Sequence, residues 1–365
     1  MYKVPFKNPQ PDINNFIRII KGEIIPSKGI IMEFSIDEEV RRKISRGLLG
    51  LDWVEPSKDS NVQDKYLKNY IQFWYRMGYD YVRFETNAGF TTGKGREADD
   101  TAYLSKGVRE WAEEKKGIVT SWKDFESYKW PQIEDFDFSP YEFISQNLPH
   151  GMGLIVSYGG GVLENVTRLM GYESLSYALY DNPDLVKVIF DKVGQTIYEF
   201  YKNIVEIPNV YAFFQGDDMG FKTATFISPE ILRKYVLPWH KKYAKLAHQY
   251  NMLYLLHSCG NIEAIMDDLI GDVGIDGKHS FEDEIMPVNK FYKKYSDKIA
   301  VLGGVDINVL ATYQEDDLRG YIRNILINCM MKGKFALGSG NSISNYIPIE
   351  NYLVMLEEGL NFKTS

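Results

Sequence analysis

A histidine and a cysteine separated by one residue follow an apolar run, in the stretch LYLLHSCGN (residues 253–261). In an extended segment, residues i and i+2 point to the same side, so His257 and Cys259 can both reach one ion. An imidazole and a soft thiolate suit zinc, and we predict a metal site at this pair. The alternative is that both side chains are simply packed at a strand end. The next stretch, NIEAIMDDL, predicts a helix whose N-terminal dipole favours a thiolate.

Two adjacent acids follow an earlier apolar run, in YAFFQGDDMG (residues 211–220). Asp217 and Asp218 lie at a glycine-flanked turn, where one of them can act as an acid or base or can orient a substrate. Equally, one of the two can cap the following turn. His279 is a further candidate for carrying a proton or completing a metal shell, although a lone histidine near a strand end can also be structural. We predict these three residues as catalytic.

Other polar residues come directly after apolar runs elsewhere in the chain. Acids and amides are costly to bury without partners, so their position at the ends of buried strands indicates a binding or catalytic site. We predict that the substrate is bound by six such residues, namely Glu33, Glu85, Gln215, Glu282, Asp306 and Asn341.

These residues share one location if the apolar runs are strands of a single barrel. Eight short runs alternate with amphipathic stretches, which is the pattern of repeated βα units. In such a barrel the carboxyl ends of the strands converge on one mouth. We therefore predict an α/β protein with a (β/α)8 TIM barrel; a doubly wound open sheet is the alternative. The predicted strands are residues 30–34, 81–84, 154–158, 211–214, 253–256, 274–276, 299–303 and 335–338.

Proline positions and spacing predict the boundaries between these elements. Asn182-Pro183 and Ser228-Pro229 each pair an N-cap residue with proline at the first helical position, and Pro238 is expected to kink or split the helix that contains it. The interval between the second and third predicted strands is too long for a simple crossover. We predict an insertion over about residues 87–150, forming a lid or flanking subdomain within one domain spanning residues 1–365.

Composition excludes several classes of function. The net charge of −8 and the pI near 5.4 leave no basic surface for nucleic acid. No uninterrupted apolar stretch is long enough to span a membrane, and the start, MYKVPFKNPQ, lacks the apolar region of a signal peptide. Only two cysteines occur, Cys259 and Cys329, which fits a reducing compartment. We expect a cytoplasmic protein.

The order of several motifs resembles the uroporphyrinogen decarboxylase superfamily, and especially its corrinoid:coenzyme M methyltransferase branch. HxCG after a strand and preceded by an SPE helix is the most specific feature, and the resemblance spans most of the chain. The matching stretches are FIRIIKGEIIP, GDDMG, ISPEILRKYVLPWHKKYAKLAH, LLHSCGN, LGGVD, FALGSGN and YIPIENY.

The resemblance implies a zinc site for a thiol substrate. In that branch the His-x-Cys pair and a later cysteine hold zinc, and His257 and Cys259 match the first two ligands. The position of the later cysteine is occupied here by Asn341, after Gly340. Asparagine is a poor zinc ligand, so either the thiol-activating site is lost or another residue takes the place. The candidates for that third ligand are His279, Glu282, Asp217 and Asp306.

The decarboxylase branch is the alternative. It binds a polycarboxylate porphyrinogen through an arginine-rich segment after the first strand, where this chain has IIMEFSIDEEV with Glu33. An acidic mouth would repel such a substrate. Glu85 lies near the position of that branch's substrate-binding aspartate.

Our leading prediction is a zinc-dependent methyltransferase that moves a methyl group between a corrinoid and a small acceptor such as a thiol. The sequence has no cobalamin-binding motif of the Asp-x-His-x-x-Gly type, so a corrinoid would come on a partner protein. A barrel that binds a small molecule or a corrinoid protein without turnover is a third possibility.

Overall fold

A computed structural model describes residues 3–86, 89–93, 96–105, 107–111, 117–330 and 332–363. Helices and parallel strands alternate along most of it, which confirms the predicted α/β class. The α-helices are α1 Ile13–Lys21, α2 Glu38–Gly47, α3 Ser60–Arg76, α4 Trp122–Ser127, α5 Ser139–Asn147, α6 Val162–Met170, α7 Tyr172–Asp181, α8 Pro183–Ile204, α9 Pro229–Ile231, α10 Leu237–Gln249, α11 Met266–Asp268, α12 Val288–Tyr295, α13 Ile307–Thr312, α14 Glu315–Cys329 and α15 Ile349–Asn361.

Seven parallel strands form one sheet in the order β1-β4-β5-β6-β7-β8-β9, and β2 and β3 form a separate antiparallel pair. A doubly wound sheet would reverse its strand order part-way, whereas this order follows the chain throughout and favours the barrel type. The strands are β1 Tyr81–Thr86, β2 Arg96–Asp99, β3 Val108–Trp111, β4 Gly153–Tyr158, β5 Val210–Gly216, β6 Leu253–His257, β7 Gly277–His279, β8 Ala300–Leu302 and β9 Phe335–Ala336.

The first predicted strand, residues 30–34, is an extended segment rather than a strand of the sheet. It lies beside β9, where the N–H of Met32 donates to the carbonyl of Leu337 and the N–H of Leu337 donates to the carbonyl of Ile30. Its contact with β1 runs through a side chain, because the Tyr81 hydroxyl bonds both backbone groups of Glu33. The segment therefore touches both edges of the sheet, and full eight-stranded closure stays a prediction.

The sixth strand was predicted at residues 274–276, but the observed strand, β7, starts three residues later. A π-helical turn, Leu269–Val273, ends at Gly274, whose φ of +78° is the left-handed conformation that favours glycine at a helix end. The strand begins only at Gly277. His279 therefore ends β7 instead of following it, and Lys278 lies within the sheet.

Helix starts agree with the sequence. Asn182 caps α8 and Ser228 caps α9, each accepting a hydrogen bond from a backbone N–H three residues later. The break expected at Pro238 is a π-helical stretch, Leu232–Val236, directly before α10. Proline lacks the N–H that a regular interior turn needs, so the hydrogen-bonding pattern changes at this point.

The region between β1 and β4 contains β2, β3, α4 and α5. Asn345, which follows β9, accepts a hydrogen bond from the N–H of Leu104 and donates one to Asp100. The region therefore contacts the segment after the last strand, and its role as a lid stays a prediction. Residues 87–88, 94–95, 106 and 112–116 of the predicted insertion lie outside the described residues.

The strands carry buried side chains along their whole length. All six residues of β4 and all five of β6 are buried, because helices cover one face of the sheet and side chains fill the other. Within the described ranges, no helix is both long enough and apolar enough to cross a membrane.

Candidate metal centre

One oxygen, one nitrogen and one sulfur ligand converge after β5 and β6. Candidate ligand atoms of Asp218, His257 and Cys259 all lie within 4.8 Å of one another. The Nε2 atom of His257 is 3.3 Å from the Cys259 Sγ and 3.5 Å from the Asp218 Oδ1. Parallel pairing of Gly216 with His257 brings the two strand ends side by side and so unites residues far apart in sequence.

The donor set fits zinc. Ligands at the usual zinc distances in a tetrahedron lie about 3.3–3.8 Å apart, and the two printed separations from Nε2 fall in that range. Two anionic ligands and one neutral ligand would balance the charge of the ion. Three protein ligands leave a fourth position for water or substrate, as in catalytic zinc sites. The Asp218 side chain is 36% exposed, so that position can be reached from solvent.

Burial sets the protonation of the two central ligands. It lowers the pKa of His257 to about 3, helped by the charges of Lys278 and Arg83, so the imidazole is in its neutral, metal-binding form. Burial also raises the pKa of the Cys259 thiol, and the Asp218 carboxylate raises it further. The helix predicted after Cys259 is present but irregular, because a 3₁₀ turn, Glu263–Ile265, continues into α11 and a π-helical turn, Leu269–Val273; its effect on the thiolate stays a prediction.

Two side chains donate hydrogen bonds to the cysteine sulfur. Asn341 Nδ2 is 3.1 Å from Cys259 Sγ, and the Ser280 hydroxyl is 3.5 Å from it. The Asp218 Oδ1 accepts the N–H of Cys259 at 2.8 Å. Asn341, predicted to bind substrate, therefore touches a ligand of the cluster. Donors of this kind would stabilise a metal-bound thiolate.

The residue that lies beside His257 and Cys259 is Asp218, predicted as catalytic, and none of the four residues predicted as a third ligand. Adjacent residues in extended backbone point to opposite sides, so Asp218 faces Cys259 while Asp217 faces away. Asp217 is fully buried and accepts the N–H groups of Leu163 and Glu164 at the start of α6, as well as His240 Nε2 at 2.8 Å. It therefore caps α6, which lies earlier in the chain, and not the following turn that the sequence suggested.

The remaining candidates for that position are occupied elsewhere. Asp306 caps α13 and accepts the N–H of Asp283. Glu282 is exposed and lines a neighbouring cavity of about 100 Å³. His279 contacts His257 on the ring edge away from Cys259, with 2.7 Å between the two Nδ1 atoms.

Like Glu282 and Asp306, three further residues predicted to bind substrate lie outside the cluster. Glu33 is fully buried, and its carboxyl accepts the N–H and hydroxyl of Ser339 at 3.1 and 2.5 Å. Burial raises its pKa to about 8, so Glu33 is neutral at pH 7 and does not supply the negative charge on which the repulsion argument depended. Gln215 is buried against Tyr201, and Glu85 forms an ion pair with Arg83.

Sequence reasoning missed two buried cations near the cluster. The guanidinium of Arg83 bonds Ser157 and lies 4.0 Å from the ring centre of Phe34, which itself stacks on His257 at 4.1 Å. Lys278 is buried and donates to the backbone carbonyls of Ser258, His279 and Ser280. For Arg83 the available signal was a basic residue inside the apolar run YVRFE; the stretch around Lys278, GIDGKH, carries no such signal.

The family follows from the sequence of the same region. The uroporphyrinogen decarboxylase (URO-D) family model matches residues 116–359, which include every ligand of the cluster. The chain belongs to the URO-D family. This confirms the resemblance seen in the HxCG and GDDMG stretches. A comparison with curated protein sequences finds no match.

Solved structures support the same fold for this URO-D family member. A methyltransferase from Methanosarcina mazei has a TM-score of 0.67 at 14% identity, over 96% of this chain and 98% of that chain. A B12-independent methionine synthase from a Shewanella species has a TM-score of 0.50 at 9% identity, over 84% of this chain and 89% of that chain. At such identities the likeness concerns the fold alone.

Proposed function

We propose that this URO-D family protein is a zinc-dependent methyltransferase with a small thiol as the acceptor. The observation that carries the proposal is the convergence of Asp218, His257 and Cys259 within 4.8 Å. This set differs from the His-Cys-Cys set implied by the resemblance, but it has the same charge. Asn341 stands where the resembling branch has its second cysteine, and the Asp218 carboxylate would supply the negative charge of that missing thiolate.

Each side chain has a stated part in this proposal. A zinc ion held by the three ligands would lower the pKa of a thiol at the open position, which supplies a thiolate nucleophile at neutral pH. His257 binds without releasing a proton, because it is already neutral. Asn341 and Ser280 donate to the Cys259 sulfur and hold it in place.

The methyl donor is the second part of the proposal. We propose a corrinoid carried by a separate protein, since the sequence lacks a cobalamin-binding motif of its own. The methyl group would pass to the thiolate sulfur as a formal cation, and the electron pair of the broken bond would stay on the donor. Support comes from the family and from the fold shared with a methyltransferase.

Metal content tests the proposal first. Protein purified without chelator or added metal should contain about one zinc ion per chain, by mass spectrometry. His257→Ala and Cys259→Ala should lose it. The matched controls are Cys329→Ala, at the other cysteine, and His248→Gln, at a histidine outside the cluster; both should keep it. Cys329 is buried in α14 and His248 bonds Asp276, so these variants report general effects of losing a thiol or an imidazole.

Activity separates the two branches of the family. The zinc-loaded protein should convert small thiols to methyl thioethers with methylcobalamin as a donor, and His257→Ala should not. A wild-type protein that stays free of zinc after zinc is offered would contradict the proposal. Decarboxylation of uroporphyrinogen by metal-free protein, unchanged in His257→Ala, would instead assign it to the decarboxylase branch.

A further inference from the structure

A chain of hydrogen bonds runs through two buried histidines toward the proposed metal ligands. His279 Nε2 lies 3.0 Å from the backbone carbonyl of Ser339, and His279 Nδ1 lies 2.7 Å from His257 Nδ1. His257 Nε2 faces Asp218 and Cys259 on the other edge of its ring. Both rings are buried, at the ends of β7 and β6.

The direction of each hydrogen bond follows from the first one. A backbone carbonyl can only accept, so Nε2 of His279 carries the proton. His279 is fully buried, and within the described chain its two ring nitrogens face the Ser339 carbonyl and the His257 ring and no carboxylate, so its ring is neutral and has one N–H. His279 Nδ1 is then an acceptor, and His257 Nδ1 must be the donor. The opposite assignment would place two lone pairs against each other at 2.7 Å.

We propose that His279 is a positioning residue that fixes His257 in its Nδ1–H tautomer, so that the Nε2 lone pair of His257 points at the proposed metal position. A neutral histidine that binds a metal through one nitrogen is oriented by the hydrogen bond its other nitrogen makes. Here the partner is a second histidine, anchored on a backbone carbonyl. The role of this tautomer in metal binding rests on the proposed function. The tautomer itself is a property of the metal-free protein.

The surroundings hold this chain in place. Ser339 donates its N–H and hydroxyl to the buried Glu33 carboxyl, which fixes the carbonyl that His279 reaches. Phe34 stacks on the His257 ring at 4.1 Å with an interplanar angle of 12°. Gly303 packs closely against His279. A side chain at this position would not fit, because its Cβ would lie 2.8 Å from His279 Nε2.

The first test reads the tautomer directly. Protein labelled with ¹⁵N-histidine and stripped of metal gives long-range ¹H–¹⁵N correlations for five histidines, assigned with His257→Ala and His248→Gln. We expect His257 as the Nδ1–H tautomer and His279 as the Nε2–H tautomer. His257 found as the Nε2–H tautomer would overturn the proposal. This result needs no folded variant of His279 and does not depend on whether zinc binds.

The second test separates positioning from packing. His279→Asn keeps an acceptor oxygen near the position of Nδ1 but loses volume, whereas His279→Phe keeps the ring but has no acceptor. We expect zinc affinity, measured by chelator competition, to fall about 10–100-fold in His279→Phe and to be largely retained in His279→Asn. Equal losses in both variants, or a larger loss in His279→Asn, would overturn the proposal. A wild type that binds no zinc would overturn the proposed function and leave the tautomer result standing.

Discussion

Two adjacent aspartates with the same sequence signal have different surroundings. Asp218 is 36% exposed and lies beside His257 and Cys259, whereas Asp217 has no exposed surface and binds backbone N–H groups and His240. The second arrangement continues to Tyr254, whose hydroxyl is 2.6 Å from His240 Nδ1. Asp217 therefore stabilises the framework behind the cluster, and Asp218 belongs to the cluster itself.

Amide substitutions should separate these two roles. Asp218→Asn should lower zinc affinity at least about tenfold while leaving the stability of the metal-free protein nearly unchanged, because an amide is a poor zinc ligand and the side chain is partly exposed. Asp217→Asn should lower the free energy of unfolding by about 1–3 kcal/mol, because its NH₂ group would meet backbone donors in a buried site. Chelator competition and urea denaturation measure the two quantities. The reverse pattern would show that the roles are exchanged.

The His-x-Cys pair could be predicted because its geometry is local. Residues i and i+2 of an extended segment share a side whatever the rest of the fold does. The position of Asp218 beside this pair could not be predicted, because the choice between Asp217 and Asp218 depends on how β5 ends beside β6. The replacement of the expected cysteine by Asn341 is visible in the sequence, but the contact of Asn341 with the Cys259 sulfur joins residues 82 positions apart.

At the level of elements, alternation of apolar runs predicted six of the sheet strands in the described chain. The first and sixth predicted strands differed, for physical reasons that a hydrophobic pattern does not contain. Residues 30–34 pair with Leu337, directly after β9, but meet β1 through the Tyr81 side chain, and the helical turn before β7 runs further, to Val273. The ends of β5 and β6, both of which the pattern predicted, are the elements that bring the cluster together.

Alanine substitutions at two glycines test the packing after β8 and on the surface of α14. Gly303 follows β8 with φ of +87°, and a Cβ there would collide with the Ser339 carbonyl and His279. Gly303→Ala should lower the free energy of unfolding by about 1–3 kcal/mol, since backbone strain adds to the collision. Gly320 is exposed within α14 and has open space around its Cβ position. Gly320→Ala should raise the free energy of unfolding by about 0.5–1 kcal/mol.

Urea denaturation of the two alanine variants beside the wild type measures both effects. A Gly303→Ala protein as stable as the wild type would contradict the close packing of Gly303, Ser339 and His279. A destabilising Gly320→Ala would contradict its open position on α14.

On the scale of the whole molecule, the buried Glu33 joins the beginning of the chain to its end. Its carboxyl binds Ser339 after β9, and its backbone groups bond the Tyr81 hydroxyl at the start of β1. These contacts link Glu33 to residues at both edges of the sheet. The sequence predicted Glu33 as a substrate-binding residue and gave no indication of this contact, which joins residues 306 positions apart.

The protonation of Glu33 should make the stability of the fold depend on pH. The pKa is about 8 in the folded protein and has an ordinary value of 4.5 without burial. Between these values the folded chain keeps a proton that the unfolded chain releases, so the Glu33 contribution to the free energy of unfolding falls as pH rises from 4.5 to 8. One pKa unit corresponds to about 1.4 kcal/mol, so the effect is on the order of a few kcal/mol.

Glu33→Gln removes this titration and keeps the size of the side chain. Its amide can accept the N–H of Ser339 and donate to the Ser339 hydroxyl, so the variant should match the wild type near pH 5 and exceed it in stability near pH 8.5. Urea midpoints at the two pH values measure the difference, and Glu126→Gln, at an exposed acid, is the matched control for the loss of a glutamate. A Glu33→Gln protein that is less stable than the wild type at pH 8.5 would mean that the ionised carboxylate, and not the neutral acid, holds the ends of the sheet together.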